Sequence, residues 1–298
     1  MIDWETFRRL PVEAVAHLIG GENILCALPV NGTRRWFRLE HGAETDYVDA
    51  LCREYARLCA LFFEHGIDTL LMPIFGSELL TRGTAYQSLA TRAIRAFATH
   101  RALRVMYAEY DARVRFYGRY RDFFAEDAAL LTDLDALVTQ TAGHRGRRVF
   151  YGLCANDATE DVARIAVRFH RQHGRPPNWR EIVERYYGEY VAPANLFIGF
   201  DAFTVFDIPL LNVGETALYF TVAPTPYLDA VTLRRILYDY LYTRRAQPDY
   251  DELSADDVAR LSRFYTLNRH SVQGVGTRAN GNIWHPLPQI ITPPQENH

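Results

Sequence analysis

The chain predicts an α/β fold, a mainly parallel central sheet with helices on both faces. Three observations carry that expectation. Short apolar runs of strand length recur along the chain, the segments between most of them are long enough to be helices, and two of those segments space their apolar residues as a helix does. Strands alternating with helices in this way are joined by crossovers, which lay helices on each face of a parallel sheet.

Taken in order, Phe7, Val12, Val15 and Leu18 mark a helix-like start, and Ile24-Leu25-Cys26-Ala27-Leu28 reads as the first buried strand. A sharp turn follows at Val30-Asn31-Gly32-Thr33-Arg34-Arg35-Trp36-Phe37. From Tyr47 to Phe63, the residues Val48, Leu51, Tyr55, Leu58 and Phe62 recur at helical spacing, and Gly66 supplies a C-terminal cap. Thr69 to Phe75 reads as a strand, after which Gly76-Ser77-Glu78 and Arg82 lead into a helix through Tyr86, Leu89, Ile94 and Phe97. Val114 to Tyr117, Arg148 to Leu153 and Leu196 to Phe200 are further strand runs. Leu218 to Val222 is the last, and Leu228 to Tyr242 a strong final helix. Ser254 with Asp257 forms a capping box for one more short helix. The tail from about 285 is rich in proline and expected to be irregular. With no repeat or low-complexity linker, residues 1–298 read as one domain.

Composition excludes several classes. Hydrophobic residues make up 48%, charged residues 23%, and the net charge is -3, which fits a globular enzyme and gives no general attraction to nucleic acid. The chain has no lysine, so its 33 basic residues are all arginines. Schiff-base chemistry and a lysine-bearing phosphate loop are thereby ruled out. Cys26, Cys52, Cys59 and Cys154 lack metal or redox spacing and read as reduced core residues. Neither a secretory leader nor a membrane-length apolar run is present, so a cytoplasmic location is expected.

The turn carries the chemistry. Gly32 lets the backbone come close to a ligand, Thr33 adds a hydroxyl, and Arg34 and Arg35 add two guanidinium forks beyond the carboxyl end of a buried strand, where open α/β sheets bind their ligands. Together they make a diphosphate grip. The blander alternative is an ordinary loop with solvated arginines and a packed Trp36. Aromatic residues cluster at strand ends, among them Phe75, Phe116, Tyr117, Phe200, Phe203, Phe206, Tyr219 and Phe220. Most belong in the core, yet aromatic faces also stabilise carbocations, so Trp36, Phe75, Phe200, Phe203 and Phe206 are candidates for a pocket that takes an isoprenoid.

Residues 30–37, Leu61-Phe62-Phe63-Glu64-His65-Gly66-Ile67, Pro73-Ile74-Phe75, Tyr186-Tyr187-Gly188-Glu189-Tyr190-Val191, Leu218-Tyr219-Phe220-Thr221-Val222-Ala223-Pro224 and Thr232-Leu233-Arg234-Arg235-Ile236-Leu237-Tyr238-Asp239 together closely resemble the tuberculosinol synthase family. The likeness runs in order over nearly the whole chain. That family is similar in fold to the cis-prenyltransferases, such as undecaprenyl diphosphate synthase, while its members act as diterpene synthases. The resemblance implies a substrate such as halimadienyl or kolavenyl diphosphate, supplied by a separate class II diterpene cyclase. Diphosphate is lost and water captures the allylic cation to give a diterpene alcohol, and in part of the family a nucleoside is the nucleophile. It also implies Mg²⁺ as cofactor and, by fold analogy, a homodimer.

Two features separate the chain from elongating enzymes, which hold a second diphosphate with arginines and a serine before an Asn-Phe pair and with a metal-binding carboxylate ahead of Leu-Tyr-Phe. Here residues 198–206 contain no arginine, and Ala217 precedes Leu218-Tyr219-Phe220. A further departure lies in the turn itself, where the family pattern begins with aspartate and this chain has Asn31. An amide cannot hold Mg²⁺ by charge or accept a proton. Either the substrate is ionised differently, or the amide is an introduced substitution that slows turnover.

The expected site is therefore Gly32, Thr33, Arg34, Arg35 and Arg82 on the diphosphate, Asn31 at the metal or nucleophile position, and Tyr47, which matches a family active-site tyrosine, orienting water or diphosphate. Where a metal would sit is unknown. Asp46, Asp49 and Asp201 are candidate replacements for the missing carboxylate, although helix ends explain the first two as well. His170 and His173 could touch one metal but lack a third ligand. Two rivals remain: a true cis-prenyltransferase, and a non-catalytic partner subunit of one.

Overall fold

A computed structural model gives the fold and describes residues 2–42, 45–76, 83–155, 157–205, 215–244, 253–279 and 283–287. Six parallel strands form the central sheet: β1 (Leu25–Ala27), β2 (Thr69–Phe75), β3 (Ala112–Tyr117), β4 (Arg147–Leu153), β5 (Leu196–Phe200) and β6 (Ala217–Thr221). Their order is β3-β4-β2-β1-β5-β6. The chain leaves β1 toward β2 on one side and leaves β5 toward β6 on the other. This divergence makes the carboxyl ends of β1 and β5 the topological switch point of the sheet.

Successive side chains of each strand face opposite sides, so the sheet carries two cores. Cys26, Leu70, Met72, Val114, Phe116, Val149, Tyr151, Leu196 and Ile198 join the larger one. There they meet α1 (Trp4–Phe7), α2 (Val12–Gly20), α4 (Tyr47–Glu64), α5 (Thr84–Thr99), α6 (Arg101–Glu109), α8 (Ala128–Gln140) and α11 (Ala230–Tyr238). Leu25, Ala27, Leu71, Tyr117, Phe150 and Phe197 face the smaller core, under α9 (Ala158–His173) and α10 (Trp179–Tyr187). The inner stretches of these strands are apolar and mostly buried, which is why their runs were readable to within two residues.

Local rules set the ends. Pro11, without an N–H to give, divides the expected N-terminal helix into α1 and α2. The Gly66 amide donates to the Phe63 carbonyl and the Ile67 amide to the Phe62 carbonyl, closing α4 with Gly66 at φ +89°. The expected last long helix is α11, continued by one π-helical turn at Asp239–Thr243. Ser254 caps α12 (Ala255–Asn268) as expected.

Two elements differ from expectation. Residues 33–40, read as part of a turn, form a helix, α3 (Thr33–Glu40), in which the buried Trp36 supplies the packing and a left-handed Gly32 the start. An antiparallel hairpin, β7 (Gly276–Ala279) with β8 (Ile283–Pro286), takes up His285 and Pro286 from the expected irregular tail. Residues 288–298 lie outside the described residues. A short helix, α7 (Tyr120–Phe123), completes the set.

Candidate active site

Beyond β1 the backbone at Asn31 is fixed by a buried threonine from the segment after β6. The Asn31 amide donates to Thr225 Oγ1 (3.1 Å), the Thr225 amide donates to the Asn31 carbonyl (3.1 Å), and the Thr225 hydroxyl donates to the Pro29 carbonyl (3.3 Å). The segment bearing Thr225 is in turn held by Arg57 of α4, which donates to the carbonyls of Pro226 (2.9 Å) and Leu228 (3.0 Å) and pairs with Glu54. Gly32 then takes φ +76°, and a Cβ there would lie 2.8 Å from Pro224 Cβ and 2.9 Å from Phe200. Only glycine satisfies both the dihedral and the space.

This cap starts α3, so Thr33, Arg34 and Arg35 form its first turn, where backbone amides have no intrahelical acceptor and the helix dipole is positive. No acidic residue occupies that turn, in contrast to α9, α10 and α12. The arginines diverge. Arg34 lies over the Tyr86 ring at 5.3 Å, while Arg35 lies over Phe200 at 5.2 Å and pairs with Asp201 at 3.5 Å. Tyr47 begins α4, its hydroxyl 2.9 Å from Thr33 Oγ1 and its ring edge-on to Phe37. Burial pushes the Tyr47 phenol above its ordinary pKa, outweighing the opposing influence of Thr33 and Arg34, so it stays neutral and keeps a proton to donate.

Asn31, Gly32, Thr33, Arg34, Arg35, Tyr47 and Phe75 line one cavity of about 340 Å³. The rest of its wall comes from Val30 and Ile74 and from two facing helix stripes, Leu51 and Tyr55 below Tyr47 on α4, and Tyr86, Leu89, Ala90 and Ala93 on α5. The mouth is cationic and rich in donors, the body mixes Leu51, Ile74, Phe75 and Leu89 with the hydroxyl-bearing rings of Tyr47, Tyr55 and Tyr86, and the two alanines leave the space. Such a shape can take an anionic head on a hydrocarbon body. Sequence reading placed Leu51, Tyr55, Tyr86 and Leu89 on helices and gave none of them a place in the site. Their signal was the i, i+4 spacing of Tyr47, Leu51 and Tyr55 opposite two small residues.

Three expected pocket residues need correction. Trp36 is buried behind α3, edge-on to His41 at 4.8 Å. Phe200 sits beneath Arg35 and against Gly32, outside the cavity lining. Phe203, 47% exposed, lies past the end of β5. Arg82 and Phe206 lie outside the described residues. Asp46 caps α4 and pairs with Arg92 (3.0 Å), and Asp49 pairs with Arg53 and His100, so both have structural employment. His173 packs on Phe169 and meets Arg185, and among the described residues no group of three or more His, Cys, Asp or Glu is placed to hold a metal.

Magnesium takes hard oxygen ligands, chiefly carboxylates. Among the described residues the cavity mouth offers the Asn31 amide and the Thr33 hydroxyl, and the carboxylate beside it, Asp201, is already paired with Arg35. These residues do not fit a protein-held Mg²⁺. A larger cleft of about 840 Å³ opens under α9 and α10, but most of its arginines are spent: Arg119 on Asp122 and Glu160, Arg121 on Asp135, Arg164 on Glu160, and Arg185 stacked on Phe169.

The parallel sheet and its carboxyl-end cavity define a cis-prenyltransferase-like fold. Solved structures share it: lavandulyl diphosphate synthase from Lavandula x intermedia, in complex with dimethylallyl diphosphate, at TM-score 0.59 and 14% identity, covering 76% of this chain and 96% of that one. A probable undecaprenyl diphosphate synthase from Campylobacter jejuni matches at TM-score 0.55 and 14% identity, covering 76% and 97%. At that identity they show the fold alone. The chain is 40% identical to tuberculosinyl adenosine transferase of Mycobacterium tuberculosis over 95% of its own length and 98% of that protein's, and therefore belongs to that family. It is 25% identical to (+)-kolavelool synthase of Herpetosiphon aurantiacus, over 86% of each chain. No protein-family model matches it.

Proposed function

We propose that the protein is a diterpene synthase that ionises a bicyclic diterpenyl diphosphate and releases diphosphate. The observation that carries this reading is the junction of two arginines and the first-turn helix amides with an aromatic-lined cavity in a chain 40% identical to a tuberculosinyl adenosine transferase. Arg34, Arg35 and the α3 amides neutralise the diphosphate as the allylic C–O bond breaks and its electron pair leaves with oxygen. The cation then lies against Tyr55, Phe75 and Tyr86, whose faces delay capture. Water held by the Tyr47–Thr33 hydroxyl pair attacks to give an alcohol, and its proton passes to the departed diphosphate, since Asn31 cannot take it. Mg²⁺ would come bound to the diphosphate oxygens, and no step above depends on it.

A nucleoside acceptor is the second reading, favoured by the name of the 40% identical relative. Chain elongation is disfavoured, because a second diphosphate at the end of β5 would meet the Asp201 carboxylate and no arginine from residues 198–206. A class II cyclase supplies the substrate. The protein works in the cytoplasm as a homodimer, supported by the lack of any described helix long and apolar enough to cross a membrane and by exposed Leu218 and Val222 at the β6 edge of the sheet. Incubation with a panel of bicyclic diterpenyl diphosphates, followed by mass spectrometry and a diphosphate assay, tests the reading. A diterpene alcohol or nucleoside adduct with matching diphosphate is expected, and diphosphate release from none of the panel would overturn it.

A further inference from the structure

We infer that Tyr55 is a specificity-determining residue of the cavity, its hydroxyl selecting a bicyclic diterpenyl diphosphate that carries a hydroxyl group on the bicycle. The inference deepens the reading that the cavity ionises a bicyclic diterpenyl diphosphate and rests on it. Tyr47, Tyr55 and Tyr86 bring phenols to the cavity lining. The Tyr47 hydroxyl is paired with Thr33 at the mouth, and the Tyr86 ring lies under the Arg34 guanidinium. Tyr55 is only 2% exposed, yet among the described residues its hydroxyl meets no hydrogen-bond partner.

Depth decides what can satisfy it. Tyr55 follows Tyr47 by two turns on the α4 stripe that carries Leu51, about 12 Å further along the helix axis. A diphosphate held by Arg34 and Arg35 therefore leaves the hydrocarbon body, and not the charged head, beside Tyr55. Leu51 above it and Ala90 and Ala93 on the facing helix have no hydrogen-bonding side-chain group. Phe97, one turn beyond Ala93 on α5, packs edge-on against the Tyr55 ring with centroids 4.8 Å apart, which fixes the phenol in place. Burial pushes the phenol well above its ordinary pKa, so it stays neutral and can both donate and accept.

A phenol buried without a partner is a net cost, and phenylalanine would fill the same space without it. A hydroxyl on the bicycle satisfies the phenol, whereas a plain hydrocarbon bicycle leaves it unpaired. Sites that hydrogen-bond a substrate hydroxyl discriminate strongly against the analogue that lacks it. Ala90 and Ala93 thus admit the bicycle, and Tyr55 reads its oxygen.

The probes are two labdane diphosphate analogues in which a methylene replaces the oxygen joining hydrocarbon to phosphorus, so that neither can ionise. One carries a tertiary hydroxyl on its decalin and the other has hydrogen there. Calorimetric titration of the full chain is expected to show the hydroxylated probe bound about tenfold or more tighter, a preference that Tyr55→Phe reduces to less than about twofold by weakening that probe alone. Tyr55→Phe should keep the parent's melting temperature, because it removes only an unpaired oxygen. Equal affinities in the unsubstituted protein, as when a buried water serves the phenol, would overturn the inference. Binding of neither probe, or equal weakening of both by Tyr55→Phe, would do the same. Diphosphate release from the corresponding oxygen esters reports on the underlying reading separately: release without preference refutes the inference alone, and preference without release refutes the reading alone.

Discussion

At the residue scale, function turns on which groups can carry charge or a proton at the cavity mouth. Asn31 offers neither a carboxylate's charge nor its basicity, so the proposed mechanism rests on guanidiniums and neutral hydroxyls. Asn31→Asp should raise the rate of diphosphate release about tenfold or more and make it more sensitive to a chelator, read in a pyrophosphate-coupled assay with and without EDTA; an unchanged or lower rate would show that the amide is not what limits turnover. Tyr47 and Thr33 were both expected at the site, but their contact was not, because a hydroxyl contact between residues 14 apart in sequence leaves no local pattern. Tyr47→Phe should lower alcohol formation about tenfold and divert product to hydrocarbons, measured by gas chromatography of extracts. Because burial raises the Tyr47 pKa, its protonated form persists above the ordinary tyrosine value. The rate should therefore show no tyrosine limb between pH 7 and 9, and a fall centred in that interval would contradict the donor role.

At the element scale, the strands were readable because both faces are buried, whereas α3 was not. Thr33–Glu40 carries charged residues on half of its positions, and its helix is held by the tertiary contacts of Trp36 and Phe37 and by the left-handed start at Gly32. Gly32→Ala pits a Cβ against Pro224 and Phe200 while forcing φ +76° on an alanine. The αL penalty alone is about 1 kcal/mol, and the clash adds to it, so melting should fall by several degrees and turnover by about a hundredfold. Scanning calorimetry and the diphosphate assay check both. The cavity wall shows the complementary difficulty, since a helix stripe such as Tyr47, Leu51 and Tyr55 looks the same in sequence whether it faces a core or a cavity. Strand-end aromatics were ambiguous in another way: apolarity marked Phe200 and Phe203 but did not reveal on which side of Arg35 each falls. Ala93→Leu should fill the cavity and lower kcat/KM for a bicyclic substrate about tenfold, with pyrophosphate binding changed less than about twofold.

At the scale of the whole molecule, the sheet is shared with solved cis-prenyltransferase-like structures, and the proposed function rests on the residues at the ends of two neighbouring strands. β1 leads into the guanidinium-bearing helix, while β5 ends in Asp201. Labelled isopentenyl diphosphate with an allylic primer should therefore yield no elongated product by thin-layer chromatography. The most direct test of the central claim is diphosphate release by the Arg34→Ala/Arg35→Ala double variant with an accepted bicyclic diphosphate, its fold verified by circular dichroism. Loss of about a thousandfold or more is expected from removing both charges that stabilise the leaving group. Near-normal release would contradict the account.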